Sequence, residues 1–141
     1  MHAPAPLVWS LVGNVRWHEQ LIPLTRIEAP DRVTRRGDEI VARSAVALVD
    51  RMVTTIVRSS GEAATDPRWA RWATFAKLGP ILLGEAHIVV RARGHDQTLV
   101  VWAEDVRFAR DSPALAAPLD LSLALMSELA LRRLAQAVES R

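Results

Sequence analysis

Cysteine and tyrosine are both missing from this chain, and lysine occurs once, at position 77. Without cysteine there is no disulfide framework and no thiolate to ligate a metal or act as a nucleophile, a composition at home in a reducing compartment. The missing tyrosine and scarce lysine also resolve a conflict in the charge. The pI is about 10.3 although the formal net charge is only +2, because the base is almost all arginine and little titrates between neutrality and high pH. A high pI of that origin does not point to nucleic acid. No stretch interleaves basic and aromatic residues on a strand as an RNA-binding sheet does, and Arg35-Arg36 and Arg132-Arg133 read as solvated faces. No unbroken apolar run reaches the roughly 20 residues of a membrane span, and the first residues lack the basic and apolar regions of a signal peptide. A cytoplasmic protein without a membrane span is the expectation.

Several chemistries lack their motifs. His2, His18 and His95 fall at ends or turns, His87 falls on an outward strand face with Glu85 and Arg91, and none has a partner at metal-ligand spacing. No serine sits in a strand-turn-helix elbow with flanking glycines, and no glycine-rich loop is built to cradle phosphate. Neither a metal nor a cofactor is expected. Arg36-Gly37-Asp38 needs only a turn, for which its glycine suffices. What remains is ordinary globular material, 141 residues with 50% hydrophobic and 24% charged side chains, which suits a single domain over 1–141.

The most organised stretch is the last. From Ala116 to Arg141, Leu119, Leu123, Met126, Ala130, Leu131, Leu134, Ala137 and Val138 fall on one arc at about 100° per residue, with Glu128, Arg132, Arg133, Gln136 and Glu139 outside it. Pro118 and Asp120 mark the start of this helix. Leu121, Leu125 and Leu129 add a second apolar stripe, so the first half is expected to be buried nearly all round. Upstream, Pro6 to Gln20 carries two short helical segments bent at Gly13-Asn14 and halted by Pro23. The pattern then turns to strands: Leu24 to Glu28, Glu39 to Leu48, Arg51 to Arg58, and a hairpin of Gly84 to Arg93 with Gln97 to Arg107 around Gly94-His95-Asp96. Between them, Trp69, Trp72 and Phe75 have helix-compatible spacing. The first part of Glu62 to Pro80 reads as loop or a single turn, while Thr74 to Leu78 is equally compatible with a strand. The order predicts an α+β fold, a curved antiparallel sheet around one long C-terminal helix with two short helices at the start. Such a sheet tends to leave a space for a small apolar ligand.

At this point a resemblance emerges. Ala3-Pro4-Ala5-Pro6-Leu7-Val8-Trp9, Arg16-Trp17 and Ile22-Pro23 resemble the opening of the polyketide cyclase/dehydrase and lipid-transport group of the START and birch-pollen-allergen-like (SRPBCC) helix-grip superfamily. Val49-Asp50-Arg51-Met52-Val53, Gly79-Pro80 with Gly84-Glu85-Ala86, Trp102-Ala103-Glu104-Asp105 and Ala130-Leu131-Arg132-Arg133-Leu134 continue it in order. The resemblance implies a seven-stranded sheet gripping the last helix around a cavity for lipids, polyketides or other hydrophobic molecules. One departure stands out: only Met1-His2-Ala3 precede the Ala-Pro segment, so the first strand is expected to be missing or a stub. Dimer pairing into a homodimer, strand exchange or residues upstream would compensate the neighbour's unpaired backbone.

Alternation assigns the faces of Gln97 to Phe108. Thr98, Val100, Trp102, Glu104, Val106 and Phe108 share the more aromatic face, taken as inward. Glu104 beside Trp102 has two readings. Either desolvation raises its pKa and fits it for proton transfer, with Arg51 or Arg43 assisting, or it pairs with one of those arginines and closes the end of the cavity, the plainer and favoured reading. Trp9, Trp69, Trp72, Val100, Trp102, Val106, Leu125, Met126 and Leu129 are the candidate lining. Core packing explains Trp9 and Trp17 as well, and Trp69 and Trp72 suit a lid. The leading function is binding of a small hydrophobic molecule between sheet and helix. The alternatives are an aromatase/cyclase-like enzyme that folds and dehydrates a polyketide, and an interaction module using an open sheet edge. Two or more titratable groups inside the cavity favour the enzyme, and a wholly apolar lining favours the carrier.

Overall fold

Six strands follow one another across a single antiparallel sheet, and the computed structural model describes them within residues 1–44, 48–63, 65–110 and 113–140. The elements are α1 (Ala5–Val12), a 3-10 turn at Val15–Trp17, α2 (His18–Leu21), β1 (Thr25–Glu28), β2 (Glu39–Ser44), β3 (Leu48–Ser60), β4 (Ala70–Gly79), β5 (Leu82–Ala92), β6 (Thr98–Phe108) and α3 (Pro113–Glu139). This is the expected α+β helix-grip arrangement: a curved sheet, a long closing helix and two short opening ones. Residues 45–47 of the expected strand Glu39 to Leu48, residues 111–112 before the long helix and residue 141 at its end lie outside the described residues, as does residue 64.

Local chemistry explains most of the boundaries. Prolines at positions 4 and 6 suit the first turn of α1, where an N–H is dispensable. α2 stops at Ile22, which is extended (φ −106°, ψ 115°) because Pro23 follows it. The concave face of the sheet is built by alternation. Ile27 lies opposite Ala42, Met52 opposite Lys77, Phe75 opposite Ala86, and Ile88 opposite Trp102. Onto the upper part of this face pack Val8 and Val12 of α1, Leu21 of α2, and Ala130, Leu134 and Val138 of α3, all buried.

Three expectations need correction. Trp72 belongs to β4, not to a loop or turn, and so does Phe75, for which the strand alternative over Thr74 to Leu78 holds. Their spacing of three fits a helix, but in a strand it places them on opposite faces, Phe75 inward and Trp72 on the convex side between Arg58 and Val89. The long helix begins at Pro113, and Pro118 lies inside it. Its missing N–H leaves one carbonyl of an exposed turn to water, which an interior turn does not tolerate. Finally, the first half of α3 is not buried all round. Leu121 is 62% and Leu125 58% exposed, since only Leu119, Leu123 and Met126 of that half face the sheet, across a cavity. α3 is also long and apolar enough, by length and composition alone, to cross a membrane. A search for unbroken apolar runs passes over it because Asp120, Ser122 and Glu128 interrupt the pattern.

The first strand is a stub. The Met1 amine donates to the Thr98 carbonyl at 3.1 Å and the Thr98 N–H donates back to the Met1 carbonyl at 3.0 Å. The Thr98 hydroxyl donates to the Ala3 carbonyl at 2.6 Å.

The two halves of α3 therefore differ in what they contribute to stability. Leu134→Ala is expected to cost about 3 kcal/mol, because it empties a fully enclosed site, whereas Leu121→Ala should stay within about 0.5 kcal/mol. Urea unfolding of the two variants checks this, and equal losses would contradict the division.

Candidate functional site

Between the concave face and the first half of α3 lies a cavity of about 280 Å³. Its walls are mainly apolar, formed by Ile27, Met52, Phe75, Ile88, Trp102, Leu123 and Met126 with Val15 and Ile22 from the opening helices. Four titratable side chains also line it: His18, Asp50, Lys77 and Glu104.

Lys77 and Glu104 form an ion pair across the sheet. The ammonium lies 3.1 Å from Glu104 Oε2, with the lysine side chain 10% and the glutamate side chain 5% exposed. They stand on β4 and β6, with β5 between them. The intervening residues are Gly84, opposite Lys77, and Ala86, opposite Glu104, so nothing bulky blocks the lysine's path over the middle strand. Gly84 has φ +128°, and a Cβ there would lie 2.1 Å from the Asp105 carbonyl oxygen, so a residue with a side chain does not fit this position. Glu104 Oε1 accepts from the Trp102 indole N–H at 3.2 Å. Oε2 is buried and accepts no hydrogen bond, the ammonium nearby being outside hydrogen-bond alignment. Its neighbour there is the Lys77 ammonium, and the contact between them is ionic.

The other two groups are committed to structure. Asp50 Oδ1 accepts the backbone N–H groups of Ile81 and Leu82 at 3.0 and 2.9 Å, holding the β4–β5 turn that contains the cis Gly79-Pro80 bond. His18 donates from Nε2 to the Val12 carbonyl at 2.7 Å, and its ring lies 4.9 Å from that of Trp102 at a tilt of 43°. Burial pushes the imidazole down to about 4, with the bond to Val12 working weakly against it. It is a neutral wall of the cavity at physiological pH.

Of the candidate residues, Trp102, Glu104 and Met126 line the cavity. Val106 borders a side hollow of about 90 Å³ with Phe108 and Leu119. Val100 packs against the core, as does Trp9, which is buried beside Gly13. Trp69 is buried just before β4 with the Arg71 guanidinium 4.5 Å above its ring, so neither it nor the convex Trp72 acts as a lid. Leu125 is exposed and Leu129 half-buried, neither among the lining residues. Arg51 is exposed, on the face of β3 opposite to Asp50 and Met52, and Arg43 pairs with Glu28 at 2.8 Å on the outer edge. The partner of Glu104 is therefore Lys77.

Sequence reasoning missed Lys77 and His18. Once Ala70–Gly79 is a strand, Lys77 shares its face with Phe75, a signal hidden by the helical spacing of the aromatics. Val15, His18 and Ile22 recur at a helical period, which places the histidine on the inner side of the opening segment. His87, by contrast, is on the outer face, with Nδ1 3.1 Å from the Thr74 hydroxyl and Nε2 3.7 Å from Glu85.

The buried neutral histidine makes a pH prediction. Its folded-state pKa is depressed, so between about 6.5 and about 4 the unfolded chain binds a proton that the folded chain does not. Stability is full above 6.5 and falls through that window, by on the order of 3 kcal/mol in all. Asp38 and Asp66 are held below the usual carboxylate range by hydrogen bonds from Arg32 and Arg68, so their losses begin only at lower pH. His18→Gln keeps a donor for Val12 but does not titrate, and its unfolding free energy should stay flat from pH 6.5 to 4.5; a slope equal to the wild type would exclude His18 as the cause.

Comparison of the chain with protein-family models, with curated proteins and with solved structures found no match.

Proposed function

We propose that the cavity binds a small, mainly apolar molecule carrying one carbonyl or hydroxyl group, with that group held at Lys77 and Glu104. The observation that carries this reading is the buried Lys77–Glu104 ion pair in the wall of a cavity lined mainly by apolar side chains. A carbonyl or hydroxyl oxygen accepts from the ammonium, and a hydroxyl can also donate to the carboxylate it is paired with. The ligand's polar end finds a hydrogen-bond partner at a site where unmade hydrogen bonds are costly, while its body gains from apolar burial. At about 280 Å³ the space is at the lower end for ligand pockets and favours a compact ring system over a long acyl chain. The resemblance of the opening and closing segments to the polyketide cyclase/dehydrase and lipid-transport group supports an apolar ligand of this kind.

A second reading has its own support. More than two titratable groups reach the cavity, and Lys77 and Glu104 form an acid–base couple in a dry setting. In an aldol closure the Lys77 ammonium would polarise the accepting carbonyl oxygen while Glu104 takes an α-proton and returns it to the alkoxide that forms; in the dehydration Glu104 would take a second α-proton and pass it to the departing hydroxyl, which leaves as water. Shaping of the ligand by the walls would supply the rest.

Naphthalene and 1-naphthol, alike in shape and differing by a hydroxyl, separate these elements when titrated against tryptophan fluorescence. The naphthol should bind roughly tenfold more tightly, about 1.4 kcal/mol. The paired change Lys77→Met with Glu104→Leu should keep naphthalene binding and abolish the preference. Equal affinities in the wild type would defeat the polar anchor, and no binding of either would defeat the cavity reading. Dehydration of a β-hydroxyketone to its enone, followed by absorbance and lost in Lys77→Met, is the expected mark of the catalytic reading.

A further inference from the structure

The outer edge of β6 is the one long strand edge that ends the sheet, since β1 at the other end has only four residues. Among the described residues, its backbone partner on that side is Met1 alone, at Thr98. Both polar groups of Thr98 point outward to Met1. Backbone groups alternate in direction along an antiparallel strand, so those of Val100, Trp102, Glu104, Val106 and Phe108 point outward as well. Glu104 shows the consequence: its side chain is 5% exposed, yet the residue as a whole is half-buried, so the surface that water reaches is its main chain. No proline, glycine or lysine interrupts Thr98 to Phe108, and these are the residues that commonly blunt such an edge.

We infer that the end of this edge, Glu104 to Phe108, pairs with the same segment of a second copy of the chain, antiparallel about a two-fold axis at Val106. The charges on the strand favour that register. With Val106 opposite itself, Asp105 of each copy faces Arg107 of the other, giving two cross-strand ion pairs on the convex side, where both residues are exposed. Moving the axis one residue either way sets Asp105 opposite Asp105 or Arg107 opposite Arg107, and like charges directly opposite are destabilising. An interface that is self-complementary in this way closes as a dimer. Pro113, Ala116, Leu119 and Asp120 of α3 border this end of β6.

Sedimentation equilibrium of the full chain over a concentration series reads the outcome. The wild type should approach twice the 15.6 kDa chain mass. Val106→Pro removes an N–H that points away from β5, so the variant should keep its circular dichroism and become monomeric. Asp105→Arg or Arg107→Asp alone should weaken association at least roughly tenfold, and the two together should restore it. A monomeric wild type at every concentration overturns the inference. So does a dimer indifferent to both single charge reversals, which would place the contact elsewhere, and so does failure of the double exchange to rescue.

Discussion

An ammonium and a carboxylate held together away from water constrain everything around Lys77 and Glu104. Separately, each would be a serious liability in an apolar cavity, and losing either partner of such a pair typically costs about 3–5 kcal/mol. The fold meets that constraint with parts drawn from distant stretches of sequence. β4 and β6 supply the two charges, and β5 supplies the small residues Gly84 and Ala86 that let them meet. Trp102 gives Glu104 its second contact through the indole N–H. His18, neutral through its own burial, then packs on that indole. Each of these features has a separate cause, and they converge on one carboxylate.

The same geometry explains the two characters of α3. A curved sheet that carries the ion pair on its concave face cannot touch a straight helix along its whole length. Contact is made by Ala130, Leu134 and Val138, where the opening helices also contribute. Toward its start the helix spans the cavity, so Leu119, Leu123 and Met126 look onto space and Leu121 and Leu125 onto solvent. The amphipathic pattern is broad because two surfaces, one lining a cavity and one facing outward, are apolar in the same turns.

Much of this architecture was legible in the residues. The hairpin of β5 and β6, the inward face of β6 and the existence of a closing helix all follow from regular alternation or period, where local preference and tertiary packing agree. What was not legible depended on distance. Lys77 is 27 residues from Glu104 in the chain and two strands away in the sheet, so no local spacing links them. The aromatics of β4 carried a helical spacing by coincidence, and only pairing with β3 and β5 decides the matter. Pro118 is a good helix opener taken alone, yet α3 extends beyond it because that end lies in water. The second apolar stripe through Leu121 and Leu125 points to burial, but apolar periodicity cannot tell a core stripe from an exposed one.

β6 is where the cavity and the sheet edge meet. Its side chains alternate between the two: Trp102 and Glu104 reach the cavity while Asp105 and Arg107 stand outside, and the outward backbone groups belong to the cavity-facing set. The main chain that carries Glu104 is therefore also the main chain on the open edge of the sheet. An unpaired edge strand is free to twist and fray on its open side, and a small rotation there moves the carboxylate relative to Lys77, whose strand is paired on both sides. Covering that edge would hold Glu104 against a fixed ammonium, so the order of the outermost strand and the geometry of the buried pair are one physical question.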